Sequence, residues 1–344
     1  MEAYRSRPLR RVCLMALALL LLFLLSFVWG RYDVPLGEVV RILLSRLFPL
    51  TQTWTDNMAI AVWNVRMPRI LLACLVGCAL SAAGAGYQTV FQNPMAAPDI
   101  LGASSGACFG AALAILTGQS NVMVTVFAFL ASLLTVALVY LIGSRTRGSR
   151  VVSILLAGIM VGSLFSAGTS YIKLVADPSN QLPQITYWLM GSLAGAKWQN
   201  LFFLFPIVLV SVLFFWTQYR SLNLMLLGDE VSITLGTDLH RRRQGYLLLT
   251  SLVIGFVVYA SGMIGFVGLV IPHLVRMLFG TDHKKLIPLS ALTGAVFLVW
   301  ADVLCRVVIP HTELPIGILI SMIGGPCFIF LMTHKKYGFG GGQS

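Results

Sequence analysis

The sequence predicts an all-α membrane protein of about ten transmembrane helices with an inverted internal repeat, and three observations predict it. Of its 344 residues, 58% are hydrophobic and only 10% are charged, whereas a soluble domain carries about a quarter charged residues. The apolar residues fall in runs of roughly 20, the length that crosses about 30 Å of hydrocarbon as a helix. Stretches of about ten residues with alternating polarity, the mark of a membrane β-barrel, are missing.

Ten spans follow in order, at about 12–30, 61–86, 99–117, 121–142, 151–175, 197–217, 243–261, 266–279, 287–308 and 315–333. The first follows a basic stretch, Arg5-Ser-Arg-Pro-Leu-Arg-Arg11, and ends in Phe27-Val-Trp-Gly30. With no A-x-A-like cleavage site there, it reads as a retained helix rather than a signal peptide. The eighth span is short and interrupted by Pro272, and Gly324-Gly-Pro326 is expected to bend or break the tenth.

Placing the N-terminus inside puts most of the 24 Lys and Arg residues on one side. These are Arg5, Arg7, Arg10 and Arg11; Arg145, Arg147 and Arg150; Arg220 and Arg241 to Arg243; Arg276, Lys284 and Lys285; and Lys335 and Lys336. This is the excess that cytoplasmic loops carry. It predicts a multi-pass protein of the cytoplasmic (inner) membrane with both termini in the cytoplasm. The net charge of +12 is thereby assigned to loops and lipid, not to nucleic acid.

Three spans carry a small residue at every fourth position: Ala73/Gly77/Ser81/Ala85, Gly102/Gly106/Gly110/Ala114 and Gly158/Gly162/Ser166/Ser170. Residues four apart share a helix face, and small ones let backbones approach closely. The stripes predict tight packing and say nothing of function. A weak repeat is also present. Ser81-Ala-Ala-Gly84 is followed by Asn93-Pro94, and Tyr259-Ala-Ser-Gly262 by Ile271-Pro272, with the same Gly-to-Pro spacing. Ser105-Gly-Ala107 then matches Thr293-Gly-Ala295. Span two runs inward and span seven outward, so segments 61–175 and 243–333 read as inverted repeats within a single membrane domain, 1–344, an arrangement typical of transporters.

Few residues carry chemistry. Asp302 is the one acid well inside a span, with Arg306 four residues on along the same face. It reads as an intrahelical pair neutralising two awkward charges, against a proton or ion site. Asp99 stands where span three begins, where an N-cap role is natural. The six cysteines show no zinc-type pairing. Cys74 and Cys78 share a face, where small buried hydrophobes are favoured over a soft-metal pair. Gly191-Ser-Leu-Ala-Gly-Ala-Lys197 fails as a phosphate loop, because its glycine spacing is short and Trp198 replaces the hydroxyl residue. No catalytic triad, haem motif or HExxH is present, so the chain reads as no enzyme, with no cofactor or metal site. Any ATP that drives it is bound by another subunit.

Two polar regions remain. Residues 218–244, with a core at about 218–240, hold two Leu-Gly breaks around a short helical stretch, a segment that a motor subunit could push on. Arg66 and Arg69 stand at the outer mouth of span two, and Arg306 near the outer end of span nine. Basic residues there run against the inside bias. Lipid-phosphate snorkelling and a docking surface for an acidic external partner both fit them.

Together the motifs resemble, over nearly the whole chain, the FecCD/BtuC-type permease subunits of bacterial ABC importers for iron–siderophores, haem and cobalamin. The matching stretches are Arg66-Met-Pro-Arg69, Gln92-Asn-Pro-Met-Ala-Ala-Pro98 with Leu101-Gly102 and Gly106-Ala107, Trp188-Leu-Met-Gly-Ser192, and Leu227-Gly228 with Leu235-Gly236. They continue with Gly265-Phe-Val-Gly-Leu-Val-Ile-Pro-His-Leu-Val-Arg276, Ala301-Asp302 with Arg306, and Glu313-Leu-Pro-Ile-Gly317.

The resemblance implies a dimer of two permease copies, usually a homodimer. It implies two ATP-binding cassette ATPase subunits and an extracytoplasmic substrate-binding protein. It gives Arg66, Arg69 and Arg306 the role of receiving glutamates from that protein. It seats Gly228, Asp229, Glu230, Leu235 and Gly236 on the ATPase, and places Asn93 and Met95 in a cytoplasmic gate. Met95 stands where the family usually has Leu, a volume-similar change. The cargo so implied is first an iron–siderophore, with haem and cobalamin as alternatives. The rival class is an ion-coupled secondary transporter using Asp302.

Overall fold

In hydrocarbon every backbone N–H and C=O must be bonded within the protein, so apolar runs of this length become helices. The computed structural model describes residues 14–333 apart from 15, 16, 19, 31, 147–149, 228–238 and 310–311. The described residues form helices joined by turns. In chain order these are α1 (within 14–28), α2 Leu36–Leu44, α3 Asp56–Ile60, α4 Met67–Val90, α5 Ala103–Leu116, α6 Asn121–Arg145 and α7 Arg150–Val175. There follow α8 Gln181–Leu189, α9 Trp198–Thr217, α10 Tyr219–Met225, α11 Leu239–Ser261, α12 Val267–Phe279, α13 His283–Val307 and α14 Ile316–Thr333.

Six helical stretches are long and apolar enough to cross a membrane: Asp56–Val90, Asn121–Arg145, Val152–Val175, Trp198–Thr217, Arg242–Ser261 and His283–Val307. This makes the chain a multi-pass membrane protein. Three apolar helices, Ala103–Leu116, Val267–Phe279 and Ile316–Phe330, match expected spans but are shorter. At 1.5 Å per residue a 14-residue helix covers only about 21 Å. Pro272 and Pro326 lie inside continuous helices. They neither end α12 nor break α14, a correction to the expectation drawn from their sequence. A proline in such a helix removes one backbone donor, which neighbouring helices can tolerate.

α4 is the centre of the bundle and is buried almost throughout from Pro68 to Val90. It enters through a π-helical turn, Ala61–Arg66, in which the Met67 N–H bonds to the Val62 carbonyl. Pro68 explains the wide turn. It has no N–H for the carbonyl four residues back, and its ring crowds that group.

The small-residue stripes do what their spacing predicts. A methyl group at Gly77 would run into the Gly294 carbonyl of α13, and one at Gly84 into the Gly268 backbone of α12. Gly106 and Gly110 of α5 meet α6 in the same way, at Thr135 and Phe127. α4 and α13 run antiparallel along their whole length, Arg69 meeting Asp302, Gly77 meeting Gly294, and Thr89 meeting His283. From Arg69 to Thr89 is about 30 Å.

The repeat segments pair unlike local structures at one point, since Pro94 follows α4 in a turn while Pro272 is helical.

Candidate functional site

The first feature is an ionic cluster at the end of the bundle where α4 begins. Arg66, Arg69 and Arg306 are brought together there, and all are buried, at 5, 6 and 8% exposure. Arg69 bonds through Nε to Asp302 Oδ1 at 2.8 Å and through Nη1 to Glu313 Oε2 at 2.9 Å. Arg306 Nε lies 3.1 Å from Asp302 Oδ2, so the expected intrahelical pair is present.

Other guanidinium donors reach backbone carbonyls at and just beyond the end of α1. Arg66 donates to the Phe27 and Tyr32 carbonyls. Arg306 donates to those of Ser26 at 3.1 Å and Trp29 at 2.9 Å. The last carbonyls of a helix lack intrahelical partners and sit at the negative end of its dipole, so cations from other helices are favourable there. The chain's own acceptors thus hold all three arginines. Glu313, with its side chain 32% exposed, is the most accessible of the ion-pair members. Sequence reasoning anticipated the Asp302–Arg306 spacing. It missed Arg69–Asp302 and Glu313, because 233 and 244 residues separate those partners.

The second feature is a cavity of about 630 Å³ between the start of α5, the end of α8, the 262–266 turn and α14. Its walls include Asp99, Ser104, Ser105, Met190, Met263 and Met322. Asp99 does not cap α5. The N-cap is Gly102, at φ +72°, and makes no side-chain bond. Asp99 lies in the preceding 3-10 turn, Pro98–Leu101, and accepts the Ser104 hydroxyl. Gly191 and Gly262, the chain neighbours of the lining residues Met190 and Met263, both have φ near +68° and are so near each other that a methyl on Gly262 would sit 3.0 Å from Gly191 Cα. Only glycine takes that conformation readily, which explains the Trp188-Leu-Met-Gly-Ser192 motif.

The third feature lies at the other end of the α4–α13 pair. The turn after α4 holds Asn93 and Met95, both exposed, with Asn93 Oδ1 accepting the Met95 N–H at 2.9 Å. Gln92 has φ +48°, unusual for a residue with a Cβ, and donates through Nε2 to the Met225 carbonyl of α10 at 2.6 Å. His283, fully buried, lies 2.6 Å from Thr89 Oγ1 and 2.7 Å from Asn223 Oδ1. Gln88 bridges the Leu269 carbonyl and Arg276 Nη1, each at 3.0 Å. Beside them Asp282 caps α13 through the Lys284 N–H. Partial burial works against its charge, but the bond from Asn223, the Lys284 N–H and the Lys285 charge outweigh it and hold the carboxyl below its usual value. Gly228, Asp229, Glu230, Leu235 and Gly236 lie outside the described residues.

A sequence profile of the FecCD transport family matches residues 18–334. The haemin transport permease HmuU of Yersinia pestis is 38% identical over 83% of this chain and 87% of its own length. The molybdate import permease MolB of Haemophilus influenzae is 34% identical over 94% of this chain and 95% of its own. A solved inward-facing metal-chelate type ABC transporter superposes with a TM-score of 0.84 at 32% identity, covering 95% of this chain and 99% of that one. By its matched length and these identities, the chain belongs to the FecCD transport family.

Proposed function

We propose that this membrane-spanning ABC importer permease carries a metal chelate, and that the chelate is an iron–siderophore. One observation supports the cargo class. Among the described residues, Asp99 is the only ionisable one lining the cavity, and no basic side chain lines it. A lone carboxylate among methionines and serines disfavours an oxyanion and suits a neutral or cationic ferric chelate. Haem and cobalamin remain the alternatives within the same role. Relatives with different cargoes show that family membership alone does not set it.

As a permease of this family, the chain works with a separate ATPase and a substrate-binding protein and hydrolyses nothing itself. We place the binding protein on the face over the ionic cluster. For Arg69, docking means exchanging Glu313 for a partner carboxylate, while Arg66 and Arg306 add positive charge from beneath. We place the two ATPase subunits on the Gly228–Gly236 segment, assign Asn93 and Met95 to the gate, and pair the chain with a second copy of itself. Met95, 38% exposed in the single chain, is free to meet that copy.

The test is reconstitution of the complete transporter with a panel of cargoes: a cationic ferric trihydroxamate, haem, cobalamin and molybdate. Uptake of the trihydroxamate should be ATP-dependent and should survive collapse of the proton gradient. Uptake of molybdate with exclusion of the trihydroxamate would overturn the cargo. Uptake that follows the proton gradient without ATP would restore the ion-coupled class. Replacing Asp229, Glu230 and Leu235 together should leave the fold intact and uncouple ATP use from uptake.

A further inference from the structure

We infer that Gln92, Thr89, Asn223 and His283 form a hydrogen-bonded strut that transmits movement of α10 to the turn carrying Asn93 and Met95. These are positioning residues for coupling. The inference rests on the reading above, in which the ATPase acts on the chain just beyond α10 and the turn is part of the gate.

α10 is a seven-residue helix anchored in the core by Leu222 and Met225, both fully buried. Apolar contacts alone would let so short a helix slide, because they are non-directional. Directional bonds do not slide freely, and α10 makes them at two points.

The first point is Asn223. Its Nδ2 donates to Asp282 Oδ1 at 2.9 Å, and its Oδ1 accepts the His283 backbone N–H at 2.9 Å. A carboxylate only accepts and an N–H only donates, so the amide has one possible orientation. Oδ1 must then accept from His283 Nδ1–H at 2.7 Å. In the neutral ring Nε2 becomes the acceptor, and the one Thr89 hydroxyl hydrogen, which also has the Ala85 carbonyl within reach at 2.9 Å, goes to the nearer Nε2 at 2.6 Å. The chain of bonds runs from α10 through the first residue of α13 into the last turn of α4.

The second point is Met225, whose carbonyl accepts from Gln92. Gln92 immediately precedes Asn93. Its φ of +48° would suit glycine better, yet the residue keeps a side chain, and that side chain reaches α10. Gln92 and Phe266 are the two non-glycine residues with positive φ among the described residues. Phe266 lines the cavity. Strain of this kind concentrates where function over-determines the backbone.

Both connections land within residues 89–92, so a displacement of α10 reaches the turn by two parallel routes. The competing explanation is that these bonds only stabilise the fold. Gln92→Gly separates the two explanations, since glycine accepts the backbone conformation and deletes only the bond to Met225. Thr89→Val deletes the hydroxyl at nearly constant volume, and Thr89→Ser restores it.

The experiment uses the complete transporter in liposomes and measures ATP hydrolysis, cargo uptake and the thermal midpoint of each variant. The cargo is the one that the panel above identifies. One lost bond should lower uptake per ATP about fivefold, from a net worth near 1 kcal/mol. The Gln92→Gly/Thr89→Val pair should lower it roughly twenty-five-fold if the routes add. ATP hydrolysis and the Gln92→Gly midpoint should be kept, and Thr89→Ser should recover uptake per ATP.

Unchanged uptake per ATP in the double variant overturns the strut. So does a parallel fall in hydrolysis and uptake, which would place these residues in assembly. A wild-type chain that imports nothing with an ATPase present sinks the underlying reading instead, and that failure is visible without any substitution.

Discussion

Replacing Asp302 by Asn removes the charge at the centre of the ionic cluster while keeping its shape. Asp302 is 1% exposed, accepts from Arg69 at 2.8 Å and is ion-paired with Arg306 at 3.1 Å. The variant leaves Arg69 and Arg306 with Glu313 as their remaining carboxylate in the cluster. Breaking a buried ion pair from one side costs about 3–5 kcal/mol, because the surviving charge is left buried without compensation. Two facts point to the lower end. Arg69 retains Glu313 at 2.9 Å, and Arg306 retains the Ser26 and Trp29 carbonyls.

We therefore expect Asp302→Asn to lose roughly 3 kcal/mol, measured by denaturant unfolding in mixed micelles. A double-mutant cycle with Arg69→Gln should show coupling above about 1 kcal/mol, as contacting residues in one network do. The folded fraction of Asp302→Asn should still import cargo at the expense of ATP. Equal stability of variant and wild type, with no coupling to Arg69, would refute the structural role. A well-folded variant that has lost all transport would return Asp302 to the status of an ion site.

Other perturbations test the remaining parts. Glu313→Gln frees Arg69, so a docking role predicts about two- to fivefold tighter, salt-sensitive binding of the acidic partner, the worth of one partly exposed pair. Unchanged or weaker binding counts against docking there. Gly77→Ala drives a methyl into the Gly294 carbonyl and should cost about 1–3 kcal/mol by overpacking. Gly245→Ala, in α11 with nothing within 4 Å, should gain up to about 1 kcal/mol from helix propensity. Thermal scans of the pair check the opposite signs. For Asp282, whose carboxyl is held low, the stabilisation is complete above its unfolded value of about 3.9 and is lost as pH falls below that through the folded value. Asp282→Asn should flatten the acid limb of the stability–pH curve, and an unaltered limb would remove Asp282 from the account.

What was legible in the sequence was whatever depended on near neighbours or on composition. The Asp302–Arg306 pair follows from a spacing of four, and the glycine stripes announce close packing. Neither says which helix is approached, so the Gly77–Gly294 meeting and the Arg69–Asp302 bond had to come from the fold. The capping of α1 was invisible for another reason. Its acceptors are backbone carbonyls, which every residue has and no motif marks. The same holds for Gln92 and the Met225 carbonyl. Prolines misled in the opposite direction. Pro326 signals a break by its lost donor, yet α14 continues through it. Six of the ten expected spans are long enough to cross a membrane, while others such as 99–117 fold into shorter apolar helices, a difference of length that hydropathy alone does not register.

The antiparallel α4–α13 pair ties these features to one mechanical question. One of its ends carries the Arg69–Asp302 bond and the other the Thr89–His283 bond, with a seam between them so close that a methyl at Gly77 or Gly294 would strike backbone or side chain of the other helix. A seam packed on backbone has little freedom to shear, because sliding by one residue would bring larger side chains against carbonyls. The two helices should therefore move as one body, and a force entering at His283 cannot be absorbed between them. It must appear at the ionic cluster about 30 Å away or at the turn after α4. This gives the cluster's burial a mechanical sense. Arginines fastened to α1 carbonyls and to Asp302 carry a tilt of the pair into α1, whereas arginines free in solvent would not.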